Sequence, residues 1–337
     1  MKVAVYYNNS DIRIEERPIP AISPGEILVK MEACGICGTD IMEWYRIKKG
    51  PRVLGHEMAG SIVDVGEGVE GYKKGDRVFV SHHVPCYECH YCKAGNYTAC
   101  EQLHTGNFDP GGFSEFIRVP AENVKYGTFI LPPEMTYYDA SMIEPLGCAI
   151  RGQKLVNLKK SHSVLIIGSG ISGLLHIQLA KLNGSKVIAT DISKYRLQIA
   201  EKFGADVVFD ANNYSVDDLK RTNNGRLADI VIVCAGADKA ISNALLSVDR
   251  NGTILFFTIS NKDITLPSVR FWRDEIAVRF SYGAAPDDLK DSLELIKNGK
   301  INVREMVTHR IPLTKIKEGF RLAVNGKDSL KVVVVPD

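Results

Sequence analysis

Four thiols stand within fifteen residues in the pattern Cys86-x2-Cys89-x2-Cys92-x7-Cys100. Thiolates hold zinc tetrahedrally at about 2.3 Å, and two-residue spacings let successive turns aim their sulfurs at one centre while the longer arm closes the tetrahedron. Four protein ligands leave no position for water, so the pattern predicts a structural zinc; an iron–sulfur cluster is its chemical rival. The chain has eight cysteines, an even number that four disulfides would also satisfy, but half of them lie in this cluster. Residues 1–8 read as a first strand with no apolar leader. In such a chain the clustering favours metal and reduced thiols, with the cytoplasm as the expected compartment. His90 falls inside the cluster, where the sulfurs already satisfy a metal; His82, His83 and His104 read as surface or packing residues.

A sparser set offers different chemistry. Gly35-Ile36-Cys37-Gly38-Thr39-Asp40 and Gly55-His56-Glu57-Met58-Ala59-Gly60 place ligand types beside glycines, and Ile143-Glu144-Pro145-Leu146-Gly147 puts a carboxylate just before an apparent helix. A catalytic zinc takes about three protein ligands and keeps one position open. Cys37, His56 and either Glu57 or Glu144 would supply them.

The third constellation is Gly168-Ser169-Gly170-Ile171-Ser172-Gly173, a G-x-G-x-x-G between a strand and a helix. Gly168 permits the tight turn, Gly170 lets a pyrophosphate approach the backbone, and Gly173 allows close helix–strand packing. The helix start offers free N–H groups to phosphate. Asp191 ends the next strand, eighteen residues after Gly173, where a carboxylate binds the two ribose hydroxyls and repels a 2′-phosphate. That predicts NAD over NADP, with Arg196 read as covering the adenine ribose.

These residues need two kinds of scaffold. Residues 27–33, 60–66 and 76–80 are short strands punctuated by Gly25, Gly66, Gly68, Gly71 and Gly75, an all-β pattern that predicts a small barrel. Residues 81–112 lack periodicity and need something other than an apolar core to hold them. From about 151 the pattern becomes α/β. Strands at 164–167, 186–191, 207–209, 229–233 and 253–257 alternate with helices at 171–182, 194–203 and 238–248, which predicts a doubly wound parallel sheet. Helices at 286–297 and 313–324 and a strand at 330–335 follow. A net charge of +2 with no basic stripe argues against nucleic acid as a partner. No apolar run reaches the roughly 18 residues of a membrane span.

Together the motifs resemble the zinc-containing medium-chain alcohol dehydrogenase family, in particular its polyol and sorbitol-dehydrogenase-like branch. The resemblance runs from Gly35–Asp40 through Gly55-His56-Glu57, the cysteine lobe, Glu144-Pro145-Leu146, the glycine loop and Asp191 to Glu318-Gly319-Phe320-Arg321 and Leu330–Val334. It implies a GroES-like catalytic domain, 1–150 and 286–337, with the lobe at 81–112, and an inserted Rossmann NAD-binding domain at 151–285. It further implies catalytic zinc on Cys37 and His56, with Glu57 bound directly or through water and Glu144 where the polyol branch carries a glutamate. Cys148 is a competing candidate whose position fits less well. Thr39 matches the residue that takes the alcohol proton. Ser172, Thr258, Ile259, Ser281 and Tyr282 fall where the nicotinamide half is lined.

The expected substrate is a small alcohol, polyol or cyclitol, with Trp44, Tyr45, Phe108, Phe113, Trp272 and Arg273 as pocket candidates. The expected assembly is a homodimer or homotetramer. The rivals are an amino-alcohol dehydrogenase of the same family, such as one acting on threonine, and a non-enzymatic zinc- and nucleotide-binding protein. Two departures stand out: Met42 replaces the histidine that completes the proton relay in many members, and Ile171-Ser172 replaces the usual Pro-Ile/Val of the glycine loop. The stretch between Cys37 and His56 is also short, which reshapes one wall of the substrate cleft.

Overall fold

Strands that are apolar on both faces need helices over both, and the second half of the chain supplies them in alternation. In the computed structural model, which describes residues 1–337, six parallel strands lie in the order Val207–Asp210, Lys186–Asp191, Ser163–Ile167, Ala228–Val233, Val248–Phe256 and Ala277–Phe280. Numbered along the chain this is 3-2-1-4-5-6, the order of a doubly wound dinucleotide-binding sheet. Ser163–Ile167 is central and buried at every position. The helices Ile171–Leu182, Lys194–Lys202, Val216–Thr222 and Asp238–Ser247 connect the first five strands. The order reverses between Ser163–Ile167 and Ala228–Val233, and the glycine loop leaves the sheet at that switch point. This unit spans Cys148–Gly283 and Lys300–Asn302.

The other unit comprises Met1–Gly147, Ala284–Gly299 and Val303–Asp337. Its main sheet runs Val307–Pro312, Lys331–Val335, Ile27–Gly35, Glu57–Val65, Arg77–Ser81 and Thr128–Ile130, with Phe116–Val119 paired to the first half of Ile27–Gly35. A smaller sheet, Asp11–Glu16, Lys2–Asn8 and Arg52–Val53, contributes Val3, Val5 and Tyr6 to a core shared with Val29, Met31, Ile62, Val80, Phe113 and Phe320. Along Ile27–Gly35, Ile27, Val29, Met31 and Ala33 face the core with a period of two, and from Ala33 onward every residue is buried. That doubly covered end is where the site residues begin. The last strand, Lys331–Val335, pairs Val333 with Gly35 and Val334 with Cys34.

Several local expectations change. The segment 81–112 contains the short helices His90–Lys93 and Glu101–Thr105 rather than loop alone. The helix expected at 313–324 is a 3-10 turn, Leu313–Lys315, followed by the helix Ile316–Asn325, which ends on Gly326 at φ +57°, the left-handed stop that glycine adopts without strain. The strands Ala277–Phe280 and Val307–Pro312 escape a pattern reading because Arg279, His309 and Arg310 interrupt their apolar runs. No helix is long and apolar enough to cross a membrane.

His176 lies wholly buried in the helix Ile171–Leu182. Its Nδ1 faces Gln153 Nε2 at 3.3 Å, its ring stands edge-on to Phe257 at 4.5 Å, and its Nε2 has no hydrogen-bond partner. Burial pushes its pKa down to about 3. An unfolded chain takes up this proton near the ordinary 6.5, so between these values the unfolded state binds more protons and stability falls as pH drops. Denaturant titrations from pH 6.5 to 4.5 should show a His176→Gln variant losing less stability than the parent, by about 1.4 kcal/mol per pH unit; equal slopes would count against this account.

Candidate active site

The four lobe sulfurs converge: those of Cys86, Cys89, Cys92 and Cys100 all lie within 4.8 Å of one another. Cys86 Sγ lies 3.5 Å from Cys100 Sγ and 3.9 Å from Cys92 Sγ, close to the roughly 3.8 Å edge of a zinc–thiolate tetrahedron. No disulfide joins any of the eight cysteines. The backbone N–H groups of Glu88 and Cys89 donate to Cys86 Sγ and bring its thiol down to about 6. The lobe's apolar core is only Cys92, Cys100 and Leu103, with Tyr97, Cys86 and Cys89 against it. So little apolar surface makes a metal the natural organiser of this segment.

The second set also assembles. Cys37, His56 and Glu57 bring one ligand atom each within 4.8 Å of one another. Gly55, at φ +91°, turns the chain before Glu57–Val65, so that His56 and Glu57 stand at the strand's entrance. Gly35 is opposite Glu57 in the ladder, and a Cβ there would come within 1.9 Å of Glu57 Oε2. Glycine at 35 is therefore what leaves room for the carboxylate. Glu57 is 1% exposed; Oε2 accepts from Lys331 Nζ at 2.6 Å, and Oε1 has no partner. Glu144 is buried in the first turn of the helix Ile143–Leu155, not before it, and is one of the charges acting on Lys331. Thr39 Oγ1 donates to Cys37 Sγ at 3.3 Å.

Electrostatics show what this place lacks. Burial opposes charge on His56, yet Asp40 and Cys37, by attraction and by hydrogen bonding, hold its pKa well above 6.5. Burial also opposes charge on Lys331, and Glu57, Cys37 and Glu144 outweigh it. Burial likewise disfavours the Asp40 carboxylate, but His56, Arg46 and the Cys37 N–H lower its pKa. Cys37, Asp40 and Glu57 thus meet around His56, and a divalent ion between the Cys37 thiolate, the neutral imidazole and the free Glu57 Oε1 would take the place of the proton that Asp40 and Cys37 keep on His56. Of its two readings, His82 takes packing: its ring lies 4.9 Å from His56 and 3.6 Å from His83. Phe108 and Phe113 are core residues, whereas Trp272 is 81% exposed. Arg273 pairs with Asp274.

In the other unit the glycine loop has the shape a pyrophosphate requires. Gly168 sits at φ +96°, a Cβ on Gly173 would meet Gly168 O at 1.9 Å, and a Cβ on Gly170 would point into space bounded only by Arg196 Nη1 at 3.9 Å. Asp191 is buried and anchored, accepting from Ser169 N at 2.7 Å and Ser193 N at 2.8 Å. Ser172 lies in the first turn of the following helix. Thr258 and Ile259 follow Val248–Phe256, and Ser281 and Tyr282 follow Ala277–Phe280, all at carboxyl ends of strands, where such sheets bind ligands. Ser281 Oγ is buried without a partner.

Relatives share this arrangement. Residues 23–127 match the alcohol dehydrogenase GroES-like domain, and residues 172–298 match the zinc-binding dehydrogenase domain. A probable D-xylulose reductase A of Aspergillus fumigatus is 32% identical over 94% of this chain and 91% of its own length. Sorbitol dehydrogenase of Bacillus subtilis is 30% identical over 100% and 98%. The chain belongs to the zinc-containing medium-chain alcohol dehydrogenase family. The crystal structure of 2R,3R-butanediol dehydrogenase from Bacillus subtilis superposes with a TM-score of 0.87 at 29% identity, over 100% of this chain and 99% of that one. The two units are thus a GroES-like fold and a Rossmann fold.

Motif reading within this family gives no role to Arg46, or to Lys331 within the matching stretch Leu330–Val334. Arg46 lies four residues beyond Met42, outside the motif, and bonds to Thr39 and Asp40. Lys331 had one visible signal: a lysine opening the otherwise apolar run Lys331–Val335. Removing one member of a buried ion pair leaves the other uncompensated. Lys331→Met should lower unfolding free energy by about 3–5 kcal/mol, and adding Glu57→Gln should return part of that loss. Equal denaturation midpoints for parent and Lys331→Met would show that the pair is not structural.

Proposed function

We propose that this chain is an NAD-linked, zinc-dependent dehydrogenase that interconverts a secondary alcohol, of the polyol, sugar-alcohol or cyclitol class, and its ketone. The observation that carries the reading is the convergence of Cys37, His56 and Glu57 beside a Thr39 hydroxyl, in one chain with an anchored Asp191 behind an open glycine cradle. The relatives named for D-xylulose, sorbitol and butanediol support a hydroxylated substrate. Residues 1–150 and 286–337 would carry the reaction centre and 151–285 the nucleotide.

When bound, zinc supplies Lewis acidity at the substrate hydroxyl and NAD supplies the acceptor for two electrons as hydride. Cys37, His56 and Glu57 Oε1 would hold the catalytic ion, with Glu144 as the alternative carboxylate, and Cys86, Cys89, Cys92 and Cys100 the structural one. Thr39 Oγ1 accepts the hydrogen bond of the substrate hydroxyl and passes its proton onward to water, staying neutral itself. Asp40, 3.5 Å from His56 Nδ1, fixes the imidazole's orientation. Lys331 keeps one Glu57 oxygen occupied, so that only the other turns toward a ligand. The backbone N–H groups that follow Gly168 cradle pyrophosphate. Asp191, fixed by two N–H donors, keeps acceptor capacity for the ribose hydroxyls and repels a 2′-phosphate. Arg196 covers the adenine ribose, and Ser172, Thr258, Ile259, Ser281 and Tyr282 line the nicotinamide half.

A homodimer through the sheet edge fits the same reading. Ala277–Phe280 has a partner on one side only, and Phe280 (66%), Val269 (75%) and Trp272 (81%) are exposed near it. Such an edge invites isologous pairing with a second copy, and a single-chain mass in solution would refute it.

The functional test offers polyols, sugar alcohols, cyclitols and amino alcohols with NAD or NADP and follows nicotinamide reduction. A polyol should react with kcat/KM at least about tenfold higher for NAD, and Asp191→Ala should erase that preference. Preference for NADP in the parent would overturn the cofactor assignment. No turnover with any alcohol and both metal sites filled would favour a binding protein instead.

A further inference from the structure

Met42 leaves Thr39 without the histidine that many family members place there, and the fold gives Thr39 a different neighbour. Arg46 closes the short helix Glu43–Arg46 and reaches back over the turn that carries Cys37 and Thr39. Its Nε donates to the Thr39 carbonyl at 2.9 Å. Its Nη2 donates to Thr39 Oγ1 at 3.0 Å and to Asp40 Oδ1 at 3.2 Å. The guanidinium lies 5.3 Å from the Tyr45 ring, and the side chain is 14% exposed against 0% for Asp40.

We propose that Arg46 is a positioning residue for the reaction: one guanidinium fixes the direction of the Thr39 hydroxyl and, through Asp40, the orientation of His56. The proposal rests on the reading of Cys37, His56 and Thr39 as the reaction centre. A hydroxyl has one hydrogen and two lone pairs. The Thr39 hydrogen points to Cys37 Sγ, and Arg46 fills one lone pair. The lone pair left over is the one that can receive the hydrogen of a substrate hydroxyl. Without Arg46 the threonine side chain can rotate and present its hydrogen to the substrate instead. A guanidinium accepts no hydrogen bond and stays protonated, so Arg46 orients the acceptor without carrying the proton.

The second arm acts on the metal ligand. Asp40 Oδ1 is shared by Arg46 and His56 Nδ1, and Oδ2 accepts from the Cys37 N–H at 3.1 Å. A carboxylate behind a ligating histidine sets metal affinity over roughly 10–100-fold. Arg46 neutralises that buried carboxylate and holds it in line. A lysine could reach one of the three acceptors but not bridge them, because it lacks the planar fork.

The test compares the parent with Arg46→Met and Arg46→Lys as purified, zinc-loaded full chains. Zinc retention is read by chelator titration, and kcat and KM with the best alcohol substrate. Arg46→Met should release one zinc at about tenfold lower chelator while the other stays bound. Its kcat should fall at least about tenfold with KM within about threefold, the mark of a contact that matters in the transition state. Arg46→Lys should keep the zinc and recover part of kcat. Should Arg46→Met fail to fold, Arg46→Lys carries the test, and added guanidinium ion should raise the kcat of Arg46→Ala. Parent-like zinc retention and kcat in Arg46→Met would overturn the proposal, as would equal loss of both zincs in every variant. The chelator titration reads the Asp40 arm even if no alcohol turns over, so failure of the functional reading and failure of this proposal are distinguishable.

Discussion

Charges removed from water must be paired, and this molecule is arranged around one group of them. Glu57 and Lys331 meet at 2.6 Å although 274 residues separate them. Each is at most 2% exposed. An ionised carboxylate alone in that place would cost several kcal/mol, so the final strand has to return to the first sheet for either residue to be tolerated. The pairing of Val333 with Gly35 and of Val334 with Cys34 is the backbone side of the same constraint. The absence of a side chain at Gly35 makes it sterically possible.

The pair also shapes the chemistry. Lys331 occupies Oε2 of Glu57 and leaves Oε1 without a partner, in a carboxylate that stands beside Cys37 and His56. Asp40 stands behind His56, and Arg46 behind Asp40. Each buried polar group is answered by the next, and a divalent cation would displace the proton that Asp40 and Cys37 keep on His56. The Rossmann unit meets a different demand by different means: glycine conformations that leave the loop backbone open, and one carboxylate fixed by two N–H donors, the features the proposed function assigns to a pyrophosphate and a ribose.

What could be read in advance follows the range of the interaction. The cysteine lobe and the glycine loop were legible because their geometry is local: spacing alone places four sulfurs or three glycines. The parallel sheet was legible because Ser163–Ile167 and Lys186–Asp191 are apolar throughout. Ala277–Phe280 was not, since Arg279 breaks its pattern and an edge strand need not be apolar on both faces. Lys331 and Arg46 act across folded distance or through a tight local turn, and neither has a spacing that announces its partner. His82 read as a surface or packing residue and is the latter, but a histidine beside a second histidine in a polar segment gives no sign that its ring will pack against His56.

Under the proposed function, two separate thiolate-containing centres, one structural and one reactive, hold zinc in a single chain. The most direct measurement is zinc per chain, by elemental analysis of the purified protein and of Cys37→Ser. The account predicts about two zinc in the parent and about one in Cys37→Ser, with the fold intact and turnover lost. A parent that turns over fully with one zinc or none, or a Cys37→Ser variant that still holds two, would contradict it.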